Sequence, residues 1–352
     1  MTDETAALDL SAEAFRRLGH DMLELAAEWL ANEPQDPLLE HLGGKELAAL
    51  FAEPPPERGL SDSALFDELR GKIVRYSRHN GHPRYFAYVS ASADPAGALA
   101  DLLASAMNQN VTSWRSAPAA ATLERQVLRW LDELVGFDGG GHGLLLGGGS
   151  AANLHAVGAA IQRAQDDRGP VARERLVLYS STETHLSLAK AARFLGIGEV
   201  RALPADSARR LRPEVVRGAI AADRSAGLTP VLVAGSAGTA NAGTIDPLPE
   251  LADLCRDEEL WFHVDGAYGA PAAMTERYDF LREGFALADS LSLDPHKWLY
   301  APLDIGALLV RDPARLRAAY AQSAEYMSVS ETDPLEGHAF WDYGMELSRR
   351  FR

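Results

Sequence analysis

Four short stretches of the chain hold residue types that can do chemistry. In "DSLSLDPHKWL" (289–299), Lys297 sits between a histidine and a tryptophan, in a turn joining two apolar runs that read as strands, 290–293 and 305–310. Such a lysine is either a solvated side chain or an amine held for covalent chemistry. In "LWFHVDGAYGAP" (260–271), Asp265 is the last residue of an expected strand whose alternation puts Trp261, His263 and Asp265 on one side. A carboxylate there either caps the following turn or faces a cationic ligand group. "LLLGGGSAANLHAVG" (144–158) reads as strand, glycine turn and helix start, with Ser150 at the helix N-terminus. Gly147, Gly148 and Gly149 let the backbone approach an anion, and the free N–H groups of the helix favour phosphate. The same stretch is also a plain turn, and it carries neither the P-loop lysine nor the full G-x-G-x-x-G spacing. His185, opening a helix in "SSTETHLSLAKAARFLG" (180–196), is a capping or packing residue unless it reaches the same pocket.

These residues need a scaffold that brings them together. Helical spacing at 12–31 and 62–76 flanks a proline-rich break, "EPPPERG" (53–59). After helices at 98–108 and 119–135, strands expected at 144–146, 175–179, 199–203, 230–235 and 260–265 alternate with helices at 150–166, 184–195, 213–226 and 247–258. Alternation of this kind implies an α/β fold, a mostly parallel sheet flanked by helices, with ligands bound beyond the carboxyl ends of the strands. The glycine turn, Asp265 and Lys297 then fall at one edge.

Composition narrows the function classes. The 352 residues carry 34 Lys+Arg against 50 Asp+Glu, a formal net charge of −16, which repels nucleic acid and anionic membranes. A single cysteine, Cys255, rules out an intrachain disulfide and suits a reducing compartment. The acidic N-terminus lacks a signal-peptide pattern, and the most apolar stretch, 143–161, is interrupted by Asn153, His155 and glycines. A cytoplasmic protein is expected.

An anion cradle, an acid and a lysine at one strand edge have a common explanation in pyridoxal 5'-phosphate. That cofactor needs a phosphate site, a Schiff-base lysine and an acidic partner for its pyridine nitrogen. Metal ligation is the rival use of His263 and Asp265, but no further ligand stands at a recognisable spacing.

The sequence resembles the group II pyridoxal-phosphate-dependent decarboxylases, which act on aromatic amino acids, histidine or glutamate. The likeness rests on "HPRYFAYVSASADPAGALADLLASAMNQN", "SWRSAPAAATLERQVLRWL", "GGGSAANLHA", "TETHLSLAKAARFLGI", "SAGTANAGTIDPL", "FHVDGAYGAPA", "DSLSLDPHKWL" and "LSRRFR", from about residue 12 to residue 352. It implies an aspartate-aminotransferase-like fold (fold type I) working as a homodimer on a small-molecule amino acid. Position by position, it implies that Lys297 binds the cofactor aldehyde, Asp265 pairs with the ring nitrogen, Ala267 packs on the ring and His185 stacks on its other face. Gly148, Gly149 and Ser150 would hold the phosphate, with Asp294 and His296 nearby and Ser236 beside the cofactor. Tyr326, in "AQSAEYMSVS", would protonate the alpha carbon once carbon dioxide has left.

The expected reaction is decarboxylation of an L-amino acid, aromatic by resemblance, to amine and carbon dioxide. The alternatives are a polar substrate such as glutamate, aldehyde synthesis, or a catalytically silent cofactor-binding protein. The last arises because relatives continue past "RRFR" into a C-terminal small domain, expected to be missing here. Residues 1–80 are expected to form a helical, dimer-packing segment and 81–352 the large cofactor-binding domain. Asn110 and Thr112 replace apolar residues of aromatic-specific relatives, which suggests a more polar pocket.

Overall fold

A computed structural model of the chain describes residues 10–322 and 336–352. It divides into two compact units, Met1–Ser92 and Ala93–Arg352. The first contains α1 (Ala12–Asn32), α2 (Gly44–Leu50) and α3 (Asp62–Glu68), the last continuing into a π-helical turn, Leu69–Val74. The division falls later than residue 80 because residues beyond it are still tied to α1: Glu33 Oε1 accepts the Gly81 N–H at 2.6 Å. Just before residue 80, His79 stacks on Trp29 with ring centroids 3.7 Å apart.

The second unit opens with α4 (Pro95–Met107) and α5 (Pro118–Val135), each starting with a proline whose missing N–H costs nothing at a helix start. Then follow β1 (Gly143–Leu146), α6 (Gly149–Arg168), β2 (Leu176–Ser181), α7 (Leu186–Phe194), β3 (Glu199–Leu203) and α8 (Pro213–Ser225). The series continues with β4 (Thr229–Ser236), α9 (Leu248–Asp257), β5 (Trp261–Asp265), α10 (Leu281–Phe285) and β6 (Ser290–Leu293). It closes with α11 (Pro295–Trp298), β7 (Gly306–Val310) and α12 (Pro313–Tyr320). Seven strands form one sheet in the order β1-β7-β6-β5-β4-β2-β3. β7 pairs antiparallel with β1 and β6, and the other pairings are parallel.

Both faces of the sheet are covered, so its strands are apolar on both sides. Val233, Phe262, Val264, Leu291, Leu309 and Leu145 enter one core with α5, α8, α9 and α10. Leu144, Leu146, Leu178, Leu232, Trp261 and Leu308 enter the other with α6. Helix α6 buries several alanines, among them Ala152, Ala156, Ala159 and Ala160, which lets its backbone lie close to the strands. That closeness delivers the start of α6 to the carboxyl edge of the sheet.

Candidate active site

Register across the sheet sets the edge. Ser236 at the end of β4 pairs with Asp265 at the end of β5, which pairs with Ser292 in β6. The three side chains are buried, and Asp265 is the most accessible at 8%. Asp246 holds β4 in place: its carboxylate accepts Ser236 N–H at 2.8 Å and Leu211 N–H at 2.7 Å. Burial raises the Asp246 carboxyl to about 6, against the lowering effect of those two N–H donors.

The glycine turn closes on the same edge. Gly148 has φ 114° and ψ 172°, a region in effect reserved for glycine. A side-chain carbon at Gly149 would lie 2.9 Å from Ala267 Cβ and 3.0 Å from Asp294 Oδ2. One at Gly306 would fall 2.5 Å from the Gly148 backbone. The turn is thereby pressed against the ends of β5 and β6 and the start of β7. Ser150 is the second residue of α6 and is exposed. The first N–H groups of a helix have no partner inside it, so this start presents free donors.

Lys297 lies on α11, a single turn that follows Asp294, whose side chain makes no capping hydrogen bond to it. Its Nζ is 2.8 Å from Asp294 Oδ2, and His296 Nε2 is 3.7 Å from the same oxygen. His296 Nδ1 accepts the Ile305 N–H at 3.2 Å, which leaves Nε2 to carry the proton. Asp294 Oδ1 is buried and has no hydrogen-bond partner among the described residues. Lys45 and Lys190 are exposed, and Lys72 is ion-paired with Glu53 and Glu68.

Asp265 caps the turn after β5, the first of the two roles open to it. Its Oδ1 accepts Ala267 N–H at 3.2 Å, a turn cap, and Ser292 O–H at 3.3 Å, while Oδ2 accepts from Asn153 Nδ2 at 3.1 Å. His185 N-caps α7 through Nδ1, which also meets Ser187 Oγ at 2.8 Å, and its ring is exposed. Asn153 bonds Ser187 Oγ at 2.9 Å, so Asp265, Asn153, Ser187 and His185 form one connected set. His263 stands behind it, wholly buried, and burial lowers its imidazole to about 4.

Sequence reasoning singled out Asp265, Lys297 and the glycines but missed Asn153, Ser187, Ser292 and Asp246. Asn153 could have been found: it stands one turn after Gly149, an amide among the small and apolar residues Ala152, Ala156, Val157 and Ala160 that α6 buries. Asn110 is engaged elsewhere, its Oδ1 accepting Arg349 N–H at 2.8 Å, and Thr112 is buried with its carbonyl accepting Phe340 N–H at 2.9 Å. Tyr326 lies outside the described residues.

An acid, an amine and an anion cradle therefore share one strand edge, and residues 45–352 match the pyridoxal-dependent decarboxylase conserved domain. The chain belongs to the pyridoxal-dependent decarboxylase family. It is 36% identical to an aromatic-L-amino-acid decarboxylase of Bacillus atrophaeus over 348 residues, 98% of this chain and 72% of that protein. It is 32% identical to a phenylacetaldehyde synthase of Petunia hybrida, across 97% of this chain and 70% of that one. The crystal structure of Oryza sativa TDC with PLP and tryptamine matches at TM-score 0.91 and 30% identity, over 97% of this chain and 73% of that chain. This family member is a pyridoxal-phosphate-dependent carboxy-lyase with the fold type I architecture.

The donor set fits that cofactor. Free N–H groups and glycines suit a phosphate, the acceptor-only carboxylate of Asp265 suits a protonated ring nitrogen, and the Lys297 amine suits an aldehyde. The crowding found at Gly149 and Gly306 shows that the cradle depends on glycine there.

Proposed function

We propose that this decarboxylase converts an aromatic L-amino acid to its amine and carbon dioxide. The observation that carries the catalytic assignment is the convergence of Asp265, Lys297 and the start of α6 on one edge of the sheet. The aromatic substrate class is supported by the names of several relatives, among them tyrosine decarboxylase 1 of Narcissus pseudonarcissus, 33% identical over 354 residues. When bound, pyridoxal phosphate supplies an aldehyde that joins the substrate amine and a ring that takes up the electrons of the breaking bond.

The chain's own residues do the rest. Lys297 would hold the cofactor through its amine, which rests against Asp294 as an ammonium ion pair. Asp265 would face the ring nitrogen and favour its charged form. Gly148, Gly149 and Ser150 would take the phosphate, with Asp294, His296 and Ser236 around it. Ala267 would pack on one face of the ring and His185 on the other. Tyr326 is the proposed acid that returns a proton to the alpha carbon. Residues 81–352 are proposed as the cofactor-binding region, residues 1–80 as a dimer-packing segment, and a cytoplasmic homodimer as the working form. No helix of the described residues is long and apolar enough to cross a membrane.

Incubating the protein and cofactor with each common amino acid, while measuring carbon dioxide and amine together, tests this reading. Release from tryptophan, tyrosine or DOPA is expected; release from glutamate alone overturns the substrate class. Aldehyde synthesis is the second reading, favoured by the likeness to the Petunia hybrida phenylacetaldehyde synthase. Aldehyde, ammonia and peroxide in place of amine, formed with consumption of dioxygen and water, would establish it.

A further inference from the structure

A line of buried side chains runs from the interior of the sheet to Asp265, and its hydrogens can be placed from chemistry alone. As a carboxylate, Asp265 accepts and cannot donate, so Asn153 must turn its NH2 group toward Oδ2, 3.1 Å away. That leaves Asn153 Oδ1 facing His263 Nε2 at 3.0 Å, so Nε2 carries the imidazole proton. His263 Nδ1 then accepts the O–H of Ser290 at 2.8 Å, and the Ser290 oxygen accepts the indole N–H of Trp261 at 2.8 Å. Indole is donor-only, and the Ser290 oxygen can accept its N–H while keeping its own hydrogen for His263 Nδ1, so the Trp261 end is compatible with the direction that Asp265 sets. On the other branch, the second N–H of Asn153 goes to Ser187 Oγ, whose O–H goes to His185 Nδ1.

We infer that Asn153 is the positioning residue of the site: it aims the Asp265 carboxylate at the cofactor's ring nitrogen, and His263, Ser290 and Trp261 lock its amide in one orientation. Rotating that amide would set oxygen against the Asp265 carboxylate and NH2 against the protonated His263 Nε2. Asn153, His263, Ser290 and Trp261 are each no more than 2% exposed, so water cannot replace a lost partner cheaply. Burial also disfavours the doubly protonated form of His263, which would break the pattern.

The inference rests on the proposed pairing of Asp265 with the ring nitrogen, and the test separates the two. Cofactor-free protein is titrated with pyridoxal phosphate and with its 1-deaza analogue, which keeps aldehyde and phosphate but has C–H in place of the nitrogen. The ratio of the two dissociation constants measures the preference for the nitrogen. Asp265→Asn should abolish that preference; if it survives, the pairing of Asp265 is wrong. Asn153→Ala should reduce it about tenfold or more, the scale of a lost hydrogen bond to a charged group. If Asp265→Asn abolishes the preference while Asn153→Ala weakens both ligands equally, Asn153 is merely structural and the inference falls. Should Asn153→Ala not fold, 15N spectra of histidine-labelled parent protein decide. A proton on Nε2 alone of His263 at pH 7 supports the assignment, and one on Nδ1 or on both nitrogens overturns it.

Discussion

Lys297, Asp265 and Gly148 are each placed by a different physical constraint, and each constraint makes a measurable claim. Lys297 rests on Asp294 because a buried carboxylate needs a cation or donors nearby. Asp265 is oriented by three donors from three different segments. Gly148 holds a conformation that other residues avoid, and it lies close enough to β7 that Gly306 cannot carry a side chain without moving it. Gly306→Ala should therefore cost about 1–3 kcal/mol in unfolding free energy and weaken cofactor binding at the same time. Denaturant titration with and without pyridoxal phosphate checks this, and an unchanged cofactor affinity would contradict the geometry. Tyr326→Phe is expected to shift products from amine toward aldehyde. If that variant still releases clean amine at the parent rate, the role given to Tyr326 is wrong.

Strands and helices were largely legible because their signals are local. Apolar runs bounded by turn residues marked β1 through β7, and the observed spans differ from the expected ones by two residues or fewer. The strand edge was legible for the same reason, since Asp265 and Lys297 follow apolar runs directly. Partnerships between distant segments left no local trace. Glu124 on α5 accepts Leu145 N–H of β1 at 3.0 Å and pairs at 2.6 Å with Arg349, which also donates to the carbonyls of Val111 and Leu145. This clamp fixes β1, and hence the glycine turn after it; both residues lie in stretches that carry the family resemblance, yet nothing local in either stretch shows that the two pair. Burial pushes the Glu124 carboxyl up, while Arg349 pulls it down. Arg349→Met leaves a carboxylate buried without its partner and should cost about 3–5 kcal/mol at pH 8. Protonation relieves that charge: with its folded pKa raised above the unfolded value, Glu124 costs least below the unfolded value and most above the folded one. The penalty should thus shrink on going to pH 5. An equal penalty at both pH values would contradict the account.

Over the whole molecule, acidity and buried histidines act together. A net charge of −16 and an isoelectric point near 5.1 mean that the surface loses its repulsion as the pH falls toward 5. His338 is lowered to about 4 by burial, with Arg125, Arg349 and His142 adding to the effect, and its Nε2 is buried without a partner among the described residues. A depressed folded pKa contributes stability above the unfolded value near 6.5, and that contribution is lost as the pH drops toward 4. Relative to His338→Phe, which cannot titrate there, the parent should lose on the order of 3 kcal/mol between pH 7 and pH 4. Parallel unfolding curves across that range, with a constant gap, would contradict the burial argument. The central claim concerns one amine in the entire chain, which holds four lysines: Lys45, Lys72, Lys190 and Lys297. Borohydride reduction of the protein with pyridoxal phosphate, followed by peptide mapping, should place a single label on Lys297 and none on Lys297→Ala. A label on any of the other three, or on none of the four, would contradict the account.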